Sequence, residues 1–281
     1  MALINDMKTL YVSDLDGTLL GADSQVSQVT AGILNELLDN RDIHFTIATS
    51  RTPATVVPIM ANIHSRLPFI TMSGAALWNP ITSRMEQVNS IPTTVVGAVI
   101  DILKRYDAHP FIYRNHNDTM IYTHHSRMMS AEERAFVEQR SNLPLKRYFL
   151  DDDDYRQSSD DAMLIFAMTT TGDLEQAYLE IKDSVDCHAI FYHDAVNPKW
   201  ELLEIYRTGC SKASAVRKLA ADIGADRIVV FGDNLNDLEM FKAAHYAIAV
   251  GNALPEVKAS ASEIIGVNTA DSVVRWLESN V

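Results

Sequence analysis

The chain has 281 residues, of which 47% are hydrophobic and 22% charged, and its net charge at pH 7 is −13. This composition is ordinary for a globular protein, and the length suits one or two domains. The excess of acidic residues argues against a general nucleic-acid or anionic-membrane surface, so we expect neither as a partner.

The first third of the chain alternates between strand-like and helix-like patterns. Thr9–Ser13 is a short apolar run, and Val26–Leu38 carries apolar residues at helical spacing. Two more strand-like runs follow at His44–Ala48 and Phe69–Met72, and Pro53 suits the first turn of a helix between them. Strands and helices in this order predict a parallel sheet with crossover helices.

The middle of the chain has the mixed pattern of a separate α+β domain. Phe111–Tyr113 and Met120–Thr123 flank Asn117-Asp118, an arrangement that predicts a β-hairpin. The acidic run Asp151–Asp154 lacks EF-hand spacing, so we interpret it as a solvated loop rather than a calcium site. The other elements predicted here are helices at Thr94–Tyr106, Ala131–Gln139 and Leu174–Val185, and strands at Met163–Thr169, Ala189–Tyr192 and Glu201–Tyr206.

The last quarter returns to alternating strands and helices. Ser211–Ile223 is a predicted helix, with Ser211 as its N-cap and Gly224 just past its end. We therefore predict one α/β domain built from residues 1–81 and 207–281, with a second domain, residues 82–206, inserted between them. The remaining predicted elements are strands at Arg227–Phe231, Tyr246–Val250 and Ile264–Val267 and helices at Asn234–Ala243 and Ser272–Ser279.

Two acidic clusters directly follow predicted strands. In Asp14-Leu15-Asp16-Gly17-Thr18, residues two apart on an extended segment point the same way, so Asp14 and Asp16 can face one pocket. This segment alone could equally form a turn. A second cluster, Gly232–Asp237, follows Arg227–Phe231, and helix capping does not explain acidic clusters at two strand ends. Such carboxylates suit Mg²⁺ and can divide the roles of nucleophile and proton shuttle.

Two further segments suit phosphate binding. Thr49-Ser50-Arg51 ends the second strand just before a helix start, where hydroxyl and backbone N–H groups bind anions. Lys212 lies in the first turn of the helix Ser211–Ile223, where its charge opposes the helix dipole unless it meets an anion. Taken alone, an ordinary exposed lysine is the simpler interpretation of Lys212.

Together these motifs resemble the haloacid dehalogenase superfamily, specifically its Cof-type sugar-phosphatase branch. Ser73-Gly74-Ala75 and Gly251-Asn252-Ala253 with Val257-Lys258 also match that branch. The resemblance implies an α/β fold with a Rossmann-like parallel-sheet core and an inserted α+β cap domain. It implies a Mg²⁺-dependent phosphatase that hydrolyses a small phosphorylated metabolite, with a sugar phosphate as the expected class, through an aspartyl-phosphate on Asp14.

The resemblance also implies a role for each matching residue. Asp14 is the expected nucleophile and a metal ligand, while Asp16 is the expected general acid/base and binds the metal through its backbone carbonyl. Asp233 is the expected side-chain metal ligand, and Asp237 supports the metal through water or Lys212. The residues expected to bind phosphate are Thr49, Ser50, Lys212 and Asn236. The family commonly has Gly at position 50 and Asn at position 73, where this chain has serine.

Three rival functions fit parts of this pattern. A phosphomutase shares the fold and moves phosphate within its substrate instead of releasing it. A signalling receiver also combines strand-end acids, Mg²⁺ and a lysine, but such domains are compact and need no inserted domain. A catalytically inactive binding protein is the third, although every expected catalytic residue is present.

The remaining features guide expectations about location and substrate. The chain has two cysteines and no basic, apolar leader, so we expect a cytoplasmic protein, as a monomer or small homo-oligomer. Arg114, His193 and Lys199 lie near predicted strand ends of the inserted domain, but we interpret each first as an ordinary surface residue. His116, His124 and His125 lack the spacing of a zinc site.

Overall fold

The structure is a computed structural model, and it describes residues 7–151, 161–194 and 197–281. Most of the acidic run, Asp152–Asp154 with Asp160, lies outside these ranges. The chain divides into two compact units, Met1–Ser83 with Ser211–Val281, and Arg84–Cys210. No helix within the described ranges is long and apolar enough to cross a bilayer.

The helices and strands of both units are numbered in chain order. The strands are β1 Thr9–Ser13, β2 His44–Ile47, β3 Phe69–Thr71, β4 Ala76–Asn79, β5 Arg84–Glu86, β6 Phe111–His116, β7 Met120–His125, β8 Lys146–Leu150, β9 Ala162–Thr169, β10 Cys187–His193, β11 Glu201–Arg207, β12 Arg227–Gly232, β13 Tyr246–Ala249 and β14 Glu263–Ile264. The helices are α1 Gln28–Asn40, α2 Pro53–Ile59, α3 Thr93–Arg105, α4 Ala131–Arg140, α5 Leu174–Ser184, α6 Lys212–Asp222, α7 Leu238–Ala243, α8 Pro255–Ser260 and α9 Ser272–Asn280.

The first unit is built on a five-stranded sheet in the order β14-β13-β12-β1-β2. Every neighbouring pair in this sheet is parallel, which confirms the predicted α/β fold with a parallel sheet. β1 pairs with β12 on one side and with β2 on the other, and its Leu10 and Val12 are fully buried. The two ends of the chain therefore meet at the centre of one sheet, and the carboxyl ends of β1 and β12 are adjacent.

Local sequence explains where two helices of this unit begin. The Ser27 hydroxyl accepts the Thr30 N–H at the start of α1, and the Ser211 hydroxyl accepts the Ser214 N–H at the start of α6. Gly224, with a φ of +65°, follows the end of α6. These contacts confirm the predicted N-cap at Ser211 and place Lys212 in the first turn.

The second unit contains a six-stranded sheet in the order β10-β11-β9-β6-β7-β8. The predicted hairpin is present: β6 and β7 are antiparallel, and Asn117 and Asp118, both with positive φ, are the central residues of a turn that the Thr119 N–H closes on the His116 carbonyl. One face of the sheet packs under α3 and α5. The apolar residues at that packing include Ile100, Leu103, Ile112, Ile165, Ile181 and Leu203.

The structure departs from the predicted elements at a few places. The strand predicted to reach Met72 ends at Thr71, because Met72 and Ser73 adopt left-handed backbone conformations with φ of +50° and +52°. The helix predicted over Asn234–Ala243 is divided into a single turn at Leu235–Asp237 and α7. The strands β4, β5 and β8 were not predicted, since they are short and carry little apolar alternation.

Candidate active site

The loop after β1 places Asp14 at the carboxyl end of the central strand. The Asp14 N–H donates to the Phe231 carbonyl of β12 over 3.0 Å, so the loop starts as a continuation of the sheet. Gly17 then turns the chain with a φ of +72°, and a Cβ on Gly17 would lie 2.4 Å from Asp233 Oδ2. The Thr18 hydroxyl donates to Asp233 Oδ1 over 2.9 Å. Both acidic clusters are therefore in direct contact.

Lys212 joins the same site from the first turn of α6. Its side chain is 3% exposed, and its Nζ donates to Asp14 Oδ1 over 2.6 Å and to Asp237 Oδ1 over 2.8 Å. Burial lowers the pKa of Lys212, but the charges of Asp14 and Asp237 outweigh burial and raise that pKa above its ordinary value. The lysine therefore stays protonated at neutral pH. The two carboxylates are the anions that offset its unfavourable position in the first turn of α6.

Asp237 is fully buried, and both its carboxylate oxygens accept hydrogen bonds. Oδ1 accepts from Lys212, while Oδ2 accepts the backbone N–H groups of Asp233 and Asn234 over 3.0 and 3.2 Å. A Cβ on Gly232 would lie 2.7 Å from Asp237 Oδ2, so glycine at this position makes room for the carboxylate. Asp237 thus fixes the shape of the 232–237 loop and the position of Lys212.

The acidic side chains of this site could hold a metal ion. Oxygens of Asp14, Asp233 and Asp237 lie within 4.8 Å of one another, and carboxylate oxygens are the ligands that Mg²⁺ prefers. Burial raises the pKa of Asp14 against the opposing effect of Lys212, and it raises the pKa of Asp233 to about 6. A nearby cation stabilises the ionised form of buried carboxylates whose pKa values are raised. These carboxylate oxygens therefore fit a divalent metal.

Asp16 has a different partner from Asp14. Its two carboxylate oxygens accept from Arg51, Oδ2 from Nε over 2.7 Å and Oδ1 from Nη2 over 2.5 Å. The Asp16 side chain is 49% exposed, whereas the Asp14 side chain is buried. The ion pair with Arg51 therefore orients a half-exposed Asp16 carboxylate.

The segment after β2 forms the third side of the site. Thr49 is buried, and its hydroxyl accepts the Arg51 N–H over 3.1 Å, while its carbonyl accepts the Ser73 N–H over 3.0 Å. The Arg51 carbonyl accepts the Met72 N–H over 2.9 Å. The left-handed turn at Met72 and Ser73 thus braces the Thr49–Arg51 segment, and Ser50 lies between two anchored residues.

The structure brings together most of the residues that the sequence singled out. Asp14, Lys212, Asp233 and Asp237 form one contiguous group, whereas Asn236 is exposed in the adjacent turn. The sequence pattern gave no role to Thr18, Arg51 or Asn252, which contact Asp233, Asp16 and Gly17 respectively. Asn252 donates from Nδ2 to the Gly17 carbonyl over 2.7 Å. Thr18 and Arg51 follow the ends of β1 and β2, and Asn252 lies in the Gly251-Asn252-Ala253 motif that matches the family. These positions in the sequence could have indicated a role for them.

The polar residues singled out in the second unit have structural contacts. Arg114 was expected at the surface, but it is 2% exposed and pairs with Asp161 over 3.1 Å, so that expectation was wrong. Burial follows from its position on β6, an inner strand of the sheet. His193 and Lys199 are exposed. The His125 ring is buried between two backbone carbonyls, those of Ser126 and His109.

Comparison with known proteins agrees with this geometry. Residues 11–277 match the family profile of the haloacid dehalogenase-like hydrolases. The 5-amino-6-(5-phospho-D-ribitylamino)uracil phosphatase YitU of Bacillus subtilis is 27% identical over 96% of each chain. An HMP-PP phosphatase of Serratia proteamaculans is 26% identical over 97% of this chain and 95% of its own. The crystal structure of a haloacid dehalogenase-like hydrolase from Bacteroides thetaiotaomicron superposes with a TM-score of 0.78 at 22% identity, covering 97% of this chain and 99% of that one. The chain therefore belongs to the haloacid dehalogenase-like hydrolase family, and it is an enzyme of the phosphatase class.

Proposed function

We propose that the protein is a Mg²⁺-dependent phosphatase that hydrolyses a small phosphorylated metabolite through an aspartyl-phosphate on Asp14. The observation that carries this proposal is the position of the Asp14 carboxylate. It is buried at the end of the central strand, 2.6 Å from the Lys212 ammonium and beside Asp233. A nucleophilic carboxylate needs a cationic environment of this kind to approach a phosphate.

The side chains of Asp14 and Asp233, with the Asp16 backbone carbonyl, would hold the Mg²⁺. Asp237 would not bind it directly, because both its oxygens already accept hydrogen bonds from Lys212 and the backbone. When bound, the metal offsets negative charge on the phosphoryl oxygens and orients the phosphate. Thr18 and Gly17 keep Asp233 in place for this role through the contacts described above.

In the first half of the reaction, one Asp14 carboxylate oxygen forms a bond to phosphorus, and the bond from phosphorus to the leaving oxygen breaks. The charge that develops on the phosphoryl oxygens is stabilised by Lys212, by the Thr49 hydroxyl and by the Ser50 N–H. Asp16, in its protonated form, gives its proton to the leaving alcohol. The products of this half are the free alcohol and the aspartyl-phosphate.

In the second half, Asp16 is a carboxylate and takes a proton from a water molecule. That water attacks phosphorus, the bond to Asp14 breaks, and inorganic phosphate leaves with the Asp14 carboxylate restored. Asp16 thus acts as proton donor in the first half and as proton acceptor in the second. Arg51 keeps the Asp16 carboxylate oriented and half-exposed for both steps. An acid/base at that position serves both half-reactions without displacing Asp14.

A sugar phosphate or a related phosphorylated polyol is the substrate class that we propose. The support is the Bacillus subtilis relative, a 5-amino-6-(5-phospho-D-ribitylamino)uracil phosphatase, whose substrate carries its phosphate on a ribityl chain. A panel of phosphorylated sugars, nucleotides and cofactors, assayed for inorganic phosphate release with Mg²⁺, identifies the substrate. Release in amounts equal to the substrate consumed also separates hydrolysis from transfer within the substrate.

Asp14→Asn tests the nucleophile. We expect phosphate release to fall by about 10³-fold or more, because an amide is a poor nucleophile while the shape of the site is kept. Asp222→Asn is the matched control, since it makes the same change on the exposed face of α6, where Asp222 pairs with Lys218 over 3.3 Å. Wild-type turnover in Asp14→Asn, with the control also active, would refute the assignment.

A further inference from the structure

Lys146, the first residue of β8, is a buried lysine in the second unit. It is 5% exposed, and its Nζ lies over three aromatic rings rather than in solvent. The distances from Nζ to the ring centroids are 4.2 Å for Tyr113, 4.6 Å for Tyr148 and 5.9 Å for Phe136. A buried ammonium group normally has an anionic partner, because removing it from water is costly.

Within the described ranges, Lys146 has no acidic partner. The charged group that acts on it is Arg140, which repels it, and both burial and this repulsion hold the pKa of Lys146 well below its ordinary value. Arg140 itself lies over the Phe136 ring at 4.0 Å. Two cationic side chains therefore approach one patch of aromatic rings in a protein whose overall charge is strongly negative.

Two buried hydroxyl groups, one on β7 and one on β8, also lack a hydrogen-bond partner among the described residues. They are Thr123 Oγ1 and the Tyr148 hydroxyl. Thr123 is paired in register with Tyr113 on β6 and with Tyr148 on β8, and Lys146 precedes Tyr148 by two residues. The four side chains therefore point from the same face of the sheet, opposite to the face under α3 and α5.

We propose that Tyr113, Thr123, Lys146 and Tyr148, here named the lysine–tyrosine cluster, form a binding site for a small oxyanion, a phosphate or carboxylate group. An ammonium group and hydroxyls can all donate to one oxyanion, and that anion supplies the missing counter-charge. Nζ lies 4.2 and 4.6 Å from the ring centroids of Tyr113 and Tyr148, so the ammonium group and these two phenol side chains are neighbours on one face of the sheet.

The alternative is that the aromatic rings alone hold Lys146. Ring faces do attract an ammonium group, but they account for neither unsatisfied hydroxyl, and each buried unsatisfied group costs stability. An oxyanion explains the lysine and both hydroxyls together. The anion that we propose here is a free inorganic oxyanion such as phosphate.

The first experiment measures anion binding at the cluster directly. The ten tyrosines are labelled as 3-fluorotyrosine, and the ¹⁹F resonances of Tyr113 and Tyr148 are assigned with Tyr→Phe variants. Inorganic phosphate is then titrated at constant ionic strength, with chloride as the balancing salt. We expect the two resonances to shift along a saturable curve. This readout does not depend on turnover, so it stands even if Asp14 proves not to be the nucleophile.

Variants at the cluster decide whether the shift reports this site. Lys146→Met should raise the half-saturating phosphate concentration at least about tenfold, and Lys146→Arg should restore much of the binding. Tyr148→Phe keeps the ring and removes only the hydroxyl, and the Tyr113 resonance then reports a weaker affinity even if Lys146→Met fails to fold. Lys182→Met is the matched control, because Lys182 lies 5.7 Å from the Tyr178 ring centroid but is exposed.

The proposal is overturned if neither cluster resonance responds to phosphate, or if Lys146→Met responds to phosphate as the wild type does.

Discussion

Around Lys212, two carboxyl groups share one ammonium group. Asp14 and Asp237 each accept a hydrogen bond from Nζ, and an Asp233 oxygen lies within 4.8 Å of oxygens of both. Carboxylates brought this close repel one another, and the raised pKa values of Asp14 and Asp233 express that cost together with the cost of burial. These three carboxylates could hold a metal ion, and a cation there would offset their repulsion.

Gly17 allows the two acidic clusters to touch. Gly17→Ala should destabilise the protein by about 2–4 kcal/mol, since alanine is strained at a φ of +72° and its Cβ would overlap the Asp233 carboxylate. Phosphatase activity should fall as well, because Asp233 must move. Urea unfolding followed by circular dichroism, with an activity assay, measures both effects.

Gly32→Ala is the matched control for that substitution. Gly32 lies within α1, and a Cβ there would meet no atom within 4 Å. Because alanine favours the helix over glycine, this variant should be more stable by about 0.5–1 kcal/mol and fully active. If both substitutions change the free energy of unfolding and the activity equally, then glycine is not needed at position 17 to avoid Asp233.

The two cysteines provide a prediction about pH. Burial raises the pKa of Cys187 to about 11 and that of Cys210 to about 12. Alkylation requires the thiolate, so both thiols should react with iodoacetamide at pH 8 at least about tenfold more slowly than they do in urea. Reaction should accelerate as the pH rises toward these values. Mass spectrometry of each cysteine peptide follows the reaction, and a fast native reaction at pH 8 would contradict the prediction.

At the scale of single elements, α4 depends on its first turn. The Ser130 hydroxyl accepts the Glu133 N–H over 3.1 Å, and Glu133 Oε2 accepts the Ser130 N–H over 2.7 Å. Glu133 and Val137 are its buried residues, so packing contributes less to α4 than to a helix with a broad apolar face. Glu133 also approaches His125 at 3.5 Å, which ties the helix start to β7.

Ser130→Ala tests that dependence. Losing the cap should lower the free energy of unfolding by about 1 kcal/mol, because one N–H of the first turn loses its partner. Ser141→Ala, at the other end of α4, should change it by less than about 0.5 kcal/mol, since Ser141 is exposed and donates only to the Glu138 carbonyl. Chemical denaturation of both variants measures the difference, and equal losses would rule out a special role for the cap.

At the scale of the whole molecule, strand ends were predictable from the sequence and side-chain pairings were not. Alternating strands and helices located the ends that carry Asp14 and Asp233, because hydrophobic periodicity is local. The pairing of Asp16 with Arg51 depends on which side-chain conformations the folded loops allow. The residues of the lysine–tyrosine cluster lie on three strands, β6, β7 and β8. The sequence did not predict β8, because Lys146–Leu150 is a short edge strand with two basic residues.

The two compact units differ in how they depend on the rest of the chain. Residues 84–210 contain a complete six-stranded sheet and an apolar cluster under α3 and α5, all formed within one continuous segment. The other unit needs both chain ends, because β1 at its centre pairs with β12, and α1 packs against α9. We therefore expect the isolated 84–210 segment to fold and residues 1–83 alone to remain unfolded.

Expression of the two segments tests this difference. Segment 84–210 should show a cooperative urea transition and dispersed amide resonances, because the hydrogen bonds of its six-stranded sheet and the apolar cluster under α3 and α5 lie within the segment. Segment 1–83 lacks β12, so β1 would expose an unpaired edge and the apolar side chains that β12 and α9 cover. Adding separately expressed residues 211–281 to it should restore helical and strand signal in circular dichroism. A folded 1–83 segment on its own would show that β1 and β2 suffice, and that the sheet does not require both ends of the chain.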